Sequence, residues 1–194
     1  MAERPERKET SKENIEQALA ASLKELTVRQ PFDKITIRQI TDGAGVIRVT
    51  FYNHFQDKYD LLGRIIRSEI LAPVGILFEN GMYREAIHLI FANMQKDRAF
   101  YTAAVHIEGQ NSFAEISRQC IYELLLQLFS AHAAGKPAKH AWLTPEQFAQ
   151  YYAESMNFIV LSWFRSGMTV SPEEMAMIYE YVGTRSMWDV LQEL

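Results

Sequence analysis

The chain has 194 residues, of which 48% are hydrophobic and 23% charged, so it is long enough to bury a core and has the composition of an ordinary soluble globular protein. Its single cysteine, Cys120, excludes an internal disulfide, argues against a cysteine-rich metal site and favours a reducing cytoplasm. The apolar stretch 155–164 is too short to span a bilayer and residues 1–14 lack the apolar run of a secretory signal, so we expect a soluble cytoplasmic protein with no membrane partner.

The charges are unevenly distributed along the chain. Residues 1–60 hold 10 Lys/Arg and 10 Asp/Glu, whereas residues 61–194 hold 10 Lys/Arg and 14 Asp/Glu, a net charge of −4. A nucleic-acid-binding surface is usually basic, so the overall acidity argues against DNA as a partner. Because the negative excess lies outside the first third of the chain, that objection does not apply to the N-terminal residues.

Signals for helix starts recur along the chain, and signals for strands are almost absent. Capping boxes, in which Ser or Thr is followed three residues later by Glu or Gln, open a first helix at Thr10 and a second at Thr36. The first should end near Pro31, and Gly43-Ala44-Gly45 should stop the second. Further helices are predicted over about 47–54, from 58 to a kink or end at Pro73, and over 82–96, 100–107, 113–134, 145–167 and from 172 onward. The predicted fold is all-α, with short helices first and long ones afterwards.

Two short helices joined by a tight glycine turn predict a helix-turn-helix. Phe51 and Phe55 are four residues apart and should face inward, anchoring the second of these helices. Six residues would then face outward, where a major groove of DNA could receive them: Arg48, Val49, Thr50, Tyr52, Asn53 and His54.

Each outward residue type has a known way of contacting DNA. Arg48 can bind guanine with two hydrogen bonds, and Val49 or Thr50 can contact a thymine methyl group. The other three can reach phosphates or base edges, and Thr36 and Lys58 are predicted to contact phosphates. The alternative is a surface helix whose polar residues are only solvated, since the same geometry occurs in proteins that bind no DNA.

Four stretches of the N-terminal third resemble the tetracycline-repressor (TetR) family of bacterial transcription regulators: FDKITI at 32–37, AGV at 44–46, TFYNHF at 50–55 and DKYDLL at 57–62. The remainder is similar, more loosely, to the C-terminal regions of Firmicute-type members, including activators of dihydroxyacetone-kinase operons, through Gly109-Gln110-Asn111 and the segment 167–175. The resemblance implies a homodimer with an N-terminal domain that binds double-stranded operator DNA and a C-terminal domain that binds a small effector.

Two residues depart from the family pattern. Ile47 occupies the position at the start of the recognition helix where the family places Ser, Thr or Asn, and isoleucine cannot accept a hydrogen bond from the first amides of the helix. Thr41 stands where the family favours a small residue such as alanine. Ile47 therefore raises the question of what holds the recognition helix in place.

Aromatic residues of the C-terminal part are candidates for the wall of an effector pocket, although such residues also form ordinary cores. The candidate effector-binding residues are Phe100, Tyr101, His106, Tyr122, Phe129, Tyr152 and Trp163. His106 and His132 could ligate haem or a metal ion, but neither has a partner at ligand spacing, so we expect no metal and no haem. Cys120 has apolar neighbours and is expected to be a small buried residue.

The last two predicted helices are candidates for a dimer interface. The helix from Pro145 is apolar nearly all round, which predicts burial on several sides. Together with the final helix it could form a four-helix interface, the alternative being the core of a monomer. The candidate interface residues are Ile159, Trp163, Met175, Ile178, Tyr179 and Val182.

These patterns lead to a ligand-responsive regulator of transcription. We expect a DNA-binding domain over 1–57, an effector-binding and dimerisation domain over 58–194, and a repressor that an effector releases from a palindromic operator. The alternatives are an operon activator of the same family and a helical protein-interaction module that does not bind DNA. No glycine-rich phosphate loop, GxSxG or HExxH motif is present, so we expect no enzyme.

Overall fold

The computed structural model describes residues 5–136 and 140–193, with side chains from Lys12 onward, and within these ranges the fold is all-α, as the sequence predicts. The described α-helices are α1 (Pro5–Arg29), α2 (Ile37–Ala44), α3 (Arg48–Tyr52), α4 (Lys58–Ile65), α5 (Gly75–Glu79), α6 (Tyr83–Lys96), α7 (Arg98–Ala104), α8 (Phe113–Ala133), α9 (Pro145–Arg165), α10 (Pro172–Thr184) and α11 (Met187–Glu193).

The structure adds the unpredicted helix α5 and shifts several helix ends, and the two largest boundary differences lie at the first and last predicted helices. Helix α1 begins at Pro5 and not at Thr10, because the intervening charged residues are good helix formers and proline fits the first turn. The last predicted helix is two helices, since Arg185 is extended and Ser186 starts α11, its hydroxyl accepting from the amide of Asp189 at 3.2 Å. The Ser-x-x-Asp start signal at Ser186 was present in the sequence and was missed.

Helices α1 to α3 pack around a small core. Leu19 and Leu23 on α1, Ile40 on α2 and Phe51 on α3 are fully buried, so each helix presents its apolar side to the other two. Gly43 allows a close approach of α2 to α1, because a β-carbon there would lie 2.4 Å from the hydroxyl of Ser22. The three helices therefore form one packed unit.

The segment after α3 connects this unit to the rest of the chain. Helix α4 continues as a π-helical stretch, Ile66–Leu71, and a 3₁₀ turn, Ala72–Val74, before α5. This change of helical form agrees with the kink predicted at Pro73. The π stretch is fixed from two sides: Asn93 donates to the carbonyl of Glu69 at 3.3 Å, and Lys24 of α1 donates to the Glu69 carboxylate at 2.9 and 3.0 Å.

The C-terminal helices form a bundle in which α8 lies along α9 and α6 packs on α10. Tyr101 stacks on Phe164 with ring centroids 5.0 Å apart, and Asn157 of α9 accepts from Ser117 at 2.7 Å and donates to the Ala114 carbonyl at 2.9 Å. Cys120 of α8 is buried against the carbonyl of Gly63, so its predicted role as a small core residue is confirmed. None of the described helices is both long and apolar enough to cross a membrane.

Candidate nucleic-acid interface and ligand cavity

Side chains at both ends of α2 define the turn into α3. The Thr36 hydroxyl accepts from the amide of Gln39 at 3.2 Å, while the Gln39 side chain accepts from the Thr36 amide at 2.9 Å, which is the predicted capping box. Gly45 ends the helix in the left-handed conformation, with φ of 66°, and the amide of Val46 donates back to Thr41 at 3.0 Å. These contacts give α2, turn and α3 the helix-turn-helix geometry.

Thr41 is accommodated in this motif although it departs from the family pattern. The side chain is buried, and its hydroxyl donates to the carbonyl of Arg38 at 3.0 Å. A buried hydroxyl with a partner carries little penalty. The departure therefore leaves the packing of α2 intact.

Helix α3 separates its rings from its polar groups as predicted. Phe51 and Phe55 are buried, with ring centroids 5.7 Å apart. Arg48, Val49 and Asn53 are exposed, as is Tyr52, and Thr50 is partly exposed. The outer surface of α3 thus offers a guanidinium, two hydroxyls, an amide and a methyl-bearing side chain.

The guanidinium of Arg48 is held only by weak contacts. Its Nη2 lies 3.3 Å from the hydroxyl of Tyr52, and its centre lies 5.8 Å from that ring. Among the residues whose side chains are described, no carboxylate forms an ion pair with Arg48. The group is therefore available to bind a partner.

The prediction that His54 faces DNA is wrong, because the structure turns its ring inward. Its Nδ1 lies 3.2 Å from Oε1 of Glu16 on α1, and the side chain is only 10% exposed. A carboxylate can only accept, so Nδ1 carries the proton. His54 ties the end of α3 to α1.

Lys58 was predicted to contact a phosphate, but in the structure its ammonium is bound internally. Its ammonium donates to the carbonyls of Phe32 at 2.6 Å, Ile35 at 2.9 Å and Asp33 at 3.1 Å. An ammonium has three protons, and all three are used. Burial lowers the pKa of Lys58, an effect that the neighbouring carboxylates of Asp33 and Asp57 partly offset.

The structure agrees with the sequence that helix α3 lacks a side-chain cap at Ile47. Ile47 is the N-cap residue of α3, no side chain caps the helix there, and its own side chain is 70% exposed. Replacing a capping side chain by an apolar one costs about 0.5–2 kcal/mol. A five-residue helix with this defect depends on tertiary contacts for its order.

A cavity of about 810 Å³ lies between α6, α8, α9 and α10. Its walls are largely apolar, and Glu180, Arg84 and four tyrosines add polar groups. Arg84 Nε lies 3.1 Å from Glu180 Oε1, but their orientation makes no hydrogen bond, so this buried oxygen has charge compensation without a directed donor. Volume and lining are those of a small-molecule site.

A smaller, wholly apolar recess of about 40 Å³ adjoins the cavity. The two share the side chains of Phe78, Ile87, Leu125, Met156 and Tyr179. The recess also reaches Leu71, the last residue of the π-helical stretch. The cavity is therefore in contact with the segment that leads to the helix-turn-helix.

Only two of the predicted effector residues, Phe129 and Tyr152, line this cavity. Phe100, Tyr101 and Trp163 are core residues, and Trp163 Nε1 donates to the Val170 carbonyl at 2.9 Å to close the turn before α10. Tyr122 packs on a separate small cluster of α8 and α9. His106 is exposed and lies at a groove beside Thr27 of α1 and Gln30, which follows that helix. His132 is exposed near the end of α8.

Some of the predicted dimer residues are buried inside the bundle and others are exposed on its surface. Trp163 and Met175 are buried within the bundle, and Ile159 and Tyr179 pack against its core. Ile178 and Val182 are exposed on α10, so their place in a dimer interface stays a prediction. Helix α9 is not buried all round, because a line of exposed rings follows its outer side: Phe148, Tyr151 and Phe158.

Several residues of the site had no signal in the sequence. Glu16 and His54 are 38 residues apart, Lys58 and Phe32 are 26 apart, and the cavity joins four helices. Helical spacing of Met177, Glu180 and Thr184 on α10 placed them on one face, but their composition did not distinguish that face from the core.

Fold and site together define a helix-turn-helix regulator of transcription with a C-terminal helical bundle that contains a cavity. Residues 19–65 match the family model described as bacterial regulatory proteins, tetR family, and residues 83–182, more than half of the chain, match the one described as transcriptional regulator C-terminal region. The chain belongs to the TetR family, and the resemblance seen in the sequence is confirmed.

A curated relative is YxbF of Bacillus subtilis, named as an uncharacterized HTH-type transcriptional regulator. The identity is 22% over 185 residues, which are 93% of this chain and 47% of the relative, so the chain spans about half the length of the curated relative it matches.

Three solved structures share the fold. The dihydroxyacetone kinase operon activator DhaS has a TM-score of 0.59 at 18% identity, covering 87% of this chain and 93% of that one. NalD, the secondary repressor of the MexAB-OprM multidrug efflux pump in Pseudomonas aeruginosa, has a TM-score of 0.56 at 19% identity, covering 87% of this chain and 94% of that one. A protein described as a TetR-family transcriptional regulator from Syntrophomonas wolfei has a TM-score of 0.62 at 16% identity, covering 90% of this chain and 98% of that one.

Lys58→Ala is expected to lower the free energy of unfolding in urea by about 1.5–3 kcal/mol, because three carbonyls lose a charged donor. The dependence of DNA affinity on salt should stay unchanged, since no phosphate contact is lost. Lys34→Ala, which removes an exposed lysine from the same turn, is the control and should change stability by less than about 0.5 kcal/mol. A flatter salt dependence with unaltered stability would restore Lys58 as a phosphate ligand.

Proposed function

We propose that this chain is a homodimeric repressor that binds a palindromic operator through α3 and is released from it by a small apolar effector. The observation that carries the proposal is the outer surface of α3, where Arg48 has no carboxylate partner among the described side chains and stands among exposed polar groups. The family assignment points to regulation and not to catalysis.

Each residue on the outer surface of α3 has a defined task in this proposal. Arg48 donates two hydrogen bonds to guanine, and Val49 and Thr50 contact a thymine methyl group. Tyr52 and Asn53 bind phosphates or base edges, as does Thr36 at the start of α2. His54 and Lys58 contribute indirectly, by holding the motif together.

A second copy of the chain is the partner we propose for the exposed faces of α9 and α10. The rings of Phe148, Tyr151 and Phe158 follow one side of α9, and Ile178 and Val182 lie on α10. Two such helices from each copy would form a four-helix interface. A dimer is also what places two recognition helices in successive major grooves of a palindrome.

The cavity is the effector site we propose, and its recess supplies a route to the DNA-binding helices. A ligand that fills the recess presses on Leu71 in the π-helical stretch. The same stretch carries Glu69, which Lys24 of α1 binds together with Asp97. A shift of the π stretch therefore moves α1, and with it the spacing of the recognition helices.

The sign of regulation is open to direct measurement. Among proteins of similar fold, NalD is named as a repressor and DhaS as an activator. We favour repression, because an effector that displaces α1 favours a state with misplaced recognition helices. A reporter gene downstream of the bound sequence would show lower expression with a repressor and higher expression with an activator.

Arg48→Ala is expected to weaken binding to a palindrome selected from random-sequence duplexes by about 1–3 kcal/mol and to relax preference at one base position. Arg165→Ala removes the same charge from α9 and should bind like the wild type. Equal losses on all sequences would reduce Arg48 to a phosphate contact, and a wild-type chain that selects no DNA would favour a protein-interaction module.

Ile178→Asp is expected to yield monomers in sedimentation velocity at micromolar concentration, because a carboxylate would be buried without a partner in the interface. Ile76→Asp places the same charge on α5, at a side chain that is 68% exposed against 39% for Ile178, and should leave the dimer intact. A dimeric Ile178→Asp variant would contradict the interface.

Met156→Trp is expected to obstruct the cavity where it meets the recess, because Met156 lines both, and to weaken binding of the uncharged fluorescent probe N-phenyl-1-naphthylamine by about tenfold or more, equivalent to about 1.4 kcal/mol. Met187→Trp on α11, outside the cavity, is the matched control and should bind the probe like the wild type. Equal probe affinity in both variants would show that the cavity is not the binding site.

A further inference from the structure

We propose that Glu16 of α1 is the positioning residue of the recognition helix. By binding His54 it orders α3, an effect that a capping side chain at residue 47 would otherwise provide. The inference rests on the proposed DNA-binding role of α3 and goes beyond it, because Glu16 lies on another helix and faces away from the proposed DNA contacts.

Both oxygens of the Glu16 carboxylate are engaged, each with a different element. Oε1 accepts from Nδ1 of His54 at 3.2 Å, and His54 lies two residues after the end of α3. Oε2 accepts from Nε of Arg64 on α4 at 2.9 Å, and Nη2 of Arg64 lies at the same distance. A single side chain of α1 thus fixes the end of α3 relative to α4.

The setting makes these contacts strong. The side chains of Glu16 and His54 are 12% and 10% exposed, so water competes weakly for their hydrogen bond. Burial alone would raise the pKa of Glu16, but the hydrogen bond with His54 and the charge of Arg64 outweigh it, so the pKa lies below its ordinary value. Lys12 adds a cation 3.9 Å from Oε1. Glu16 therefore remains ionised at neutral pH and accepts from both partners.

The need for such a contact comes from the other end of α3. Ile47 leaves the first amides of a five-residue helix without a side-chain acceptor. Such a helix has too few internal hydrogen bonds to persist alone, so its orientation follows its tertiary anchors. Phe51 and Phe55 hold its buried side, but apolar contacts are not directional. The hydrogen bond to His54 supplies the direction.

Hydrogen exchange of the DNA-free protein tests this role independently of DNA binding. In Glu16→Ala, amide exchange over residues 48–55 should accelerate about tenfold or more, the effect of losing a charge-assisted hydrogen bond, while core amides of α8 and α9 keep their rates. Glu13→Ala removes a carboxylate from the same helix and the same cleft, and it should leave α3 unchanged. Unchanged exchange over 48–55 in Glu16→Ala would overturn the proposal.

A rescue experiment separates positioning from general stability. Ile47→Ser supplies the missing cap, because residue 47 already has the extended backbone of a capping position, with φ of −89° and ψ of 157°. In Glu16→Ala/Ile47→Ser, both the exchange rates of α3 and the affinity for the selected palindrome should return toward those of Ile47→Ser alone. Loss of affinity that the cap does not rescue would show that Glu16 acts on the fold as a whole. Failure of the wild type to bind DNA would contradict the proposed function and leave the exchange result to decide the role of Glu16.

Discussion

The burial of Phe51 is the interaction on which the rest of the DNA-binding unit depends. Phe51 is fully buried in the same core cluster as side chains of α1 and α2, and truncation of a buried phenylalanine costs about 3–5 kcal/mol. The absent cap at Ile47 costs about 0.5–2 kcal/mol, so burial exceeds it. Once that ring is inside, the helical period leaves Arg48, Val49 and Tyr52 outside. The polar surface of α3 is a consequence of how its rings pack.

A second constraint acts at the junction between the N-terminal unit and the bundle. Lys24 of α1 binds the carboxylates of Glu69 and Asp97 at 2.9 Å each, which joins α1, the π stretch and the turn between α6 and α7. Burial alone would lower the pKa of Lys24, but its hydrogen bonds to both carboxylates outweigh this and raise it. Because folding raises the pKa of Lys24, the stabilisation is fully present below the unfolded-state pKa, which includes neutral pH, and is lost as the pH rises through the folded-state pKa. Because the cluster is part-buried, removing one of the three side chains would leave the remaining charges without their partner and destabilise the fold.

Local signals in the sequence predicted most of the fold and part of the site. The caps at Thr36 and Ser171, the turn at Gly45 and the inward position of Phe51 all depend on residues a few positions apart, and the structure agrees with each. His54 and Lys58 were misplaced because their partners lie 38 and 23–26 residues away, and no spacing rule reports such a contact. Of the cavity wall, only Phe129 and Tyr152 were predicted, because aromatic residues at helical spacing mark a buried face, and only packing decides which buried faces enclose space.

The π-helical stretch gives these separate features a common element. Its Glu69 is bound from α1, its backbone carbonyl at the same residue is bound by Asn93 of α6, and its last residue, Leu71, forms part of the apolar recess. A π turn has one residue more per hydrogen-bonded ring than an α turn, so a return to α geometry rotates the residues that follow it. Such a rotation at Leu71 would change the recess and the Glu69 contact together. In the proposed function, such a rotation would link ligand binding to the position of α1 through one turn of helix, without requiring the bundle itself to rearrange.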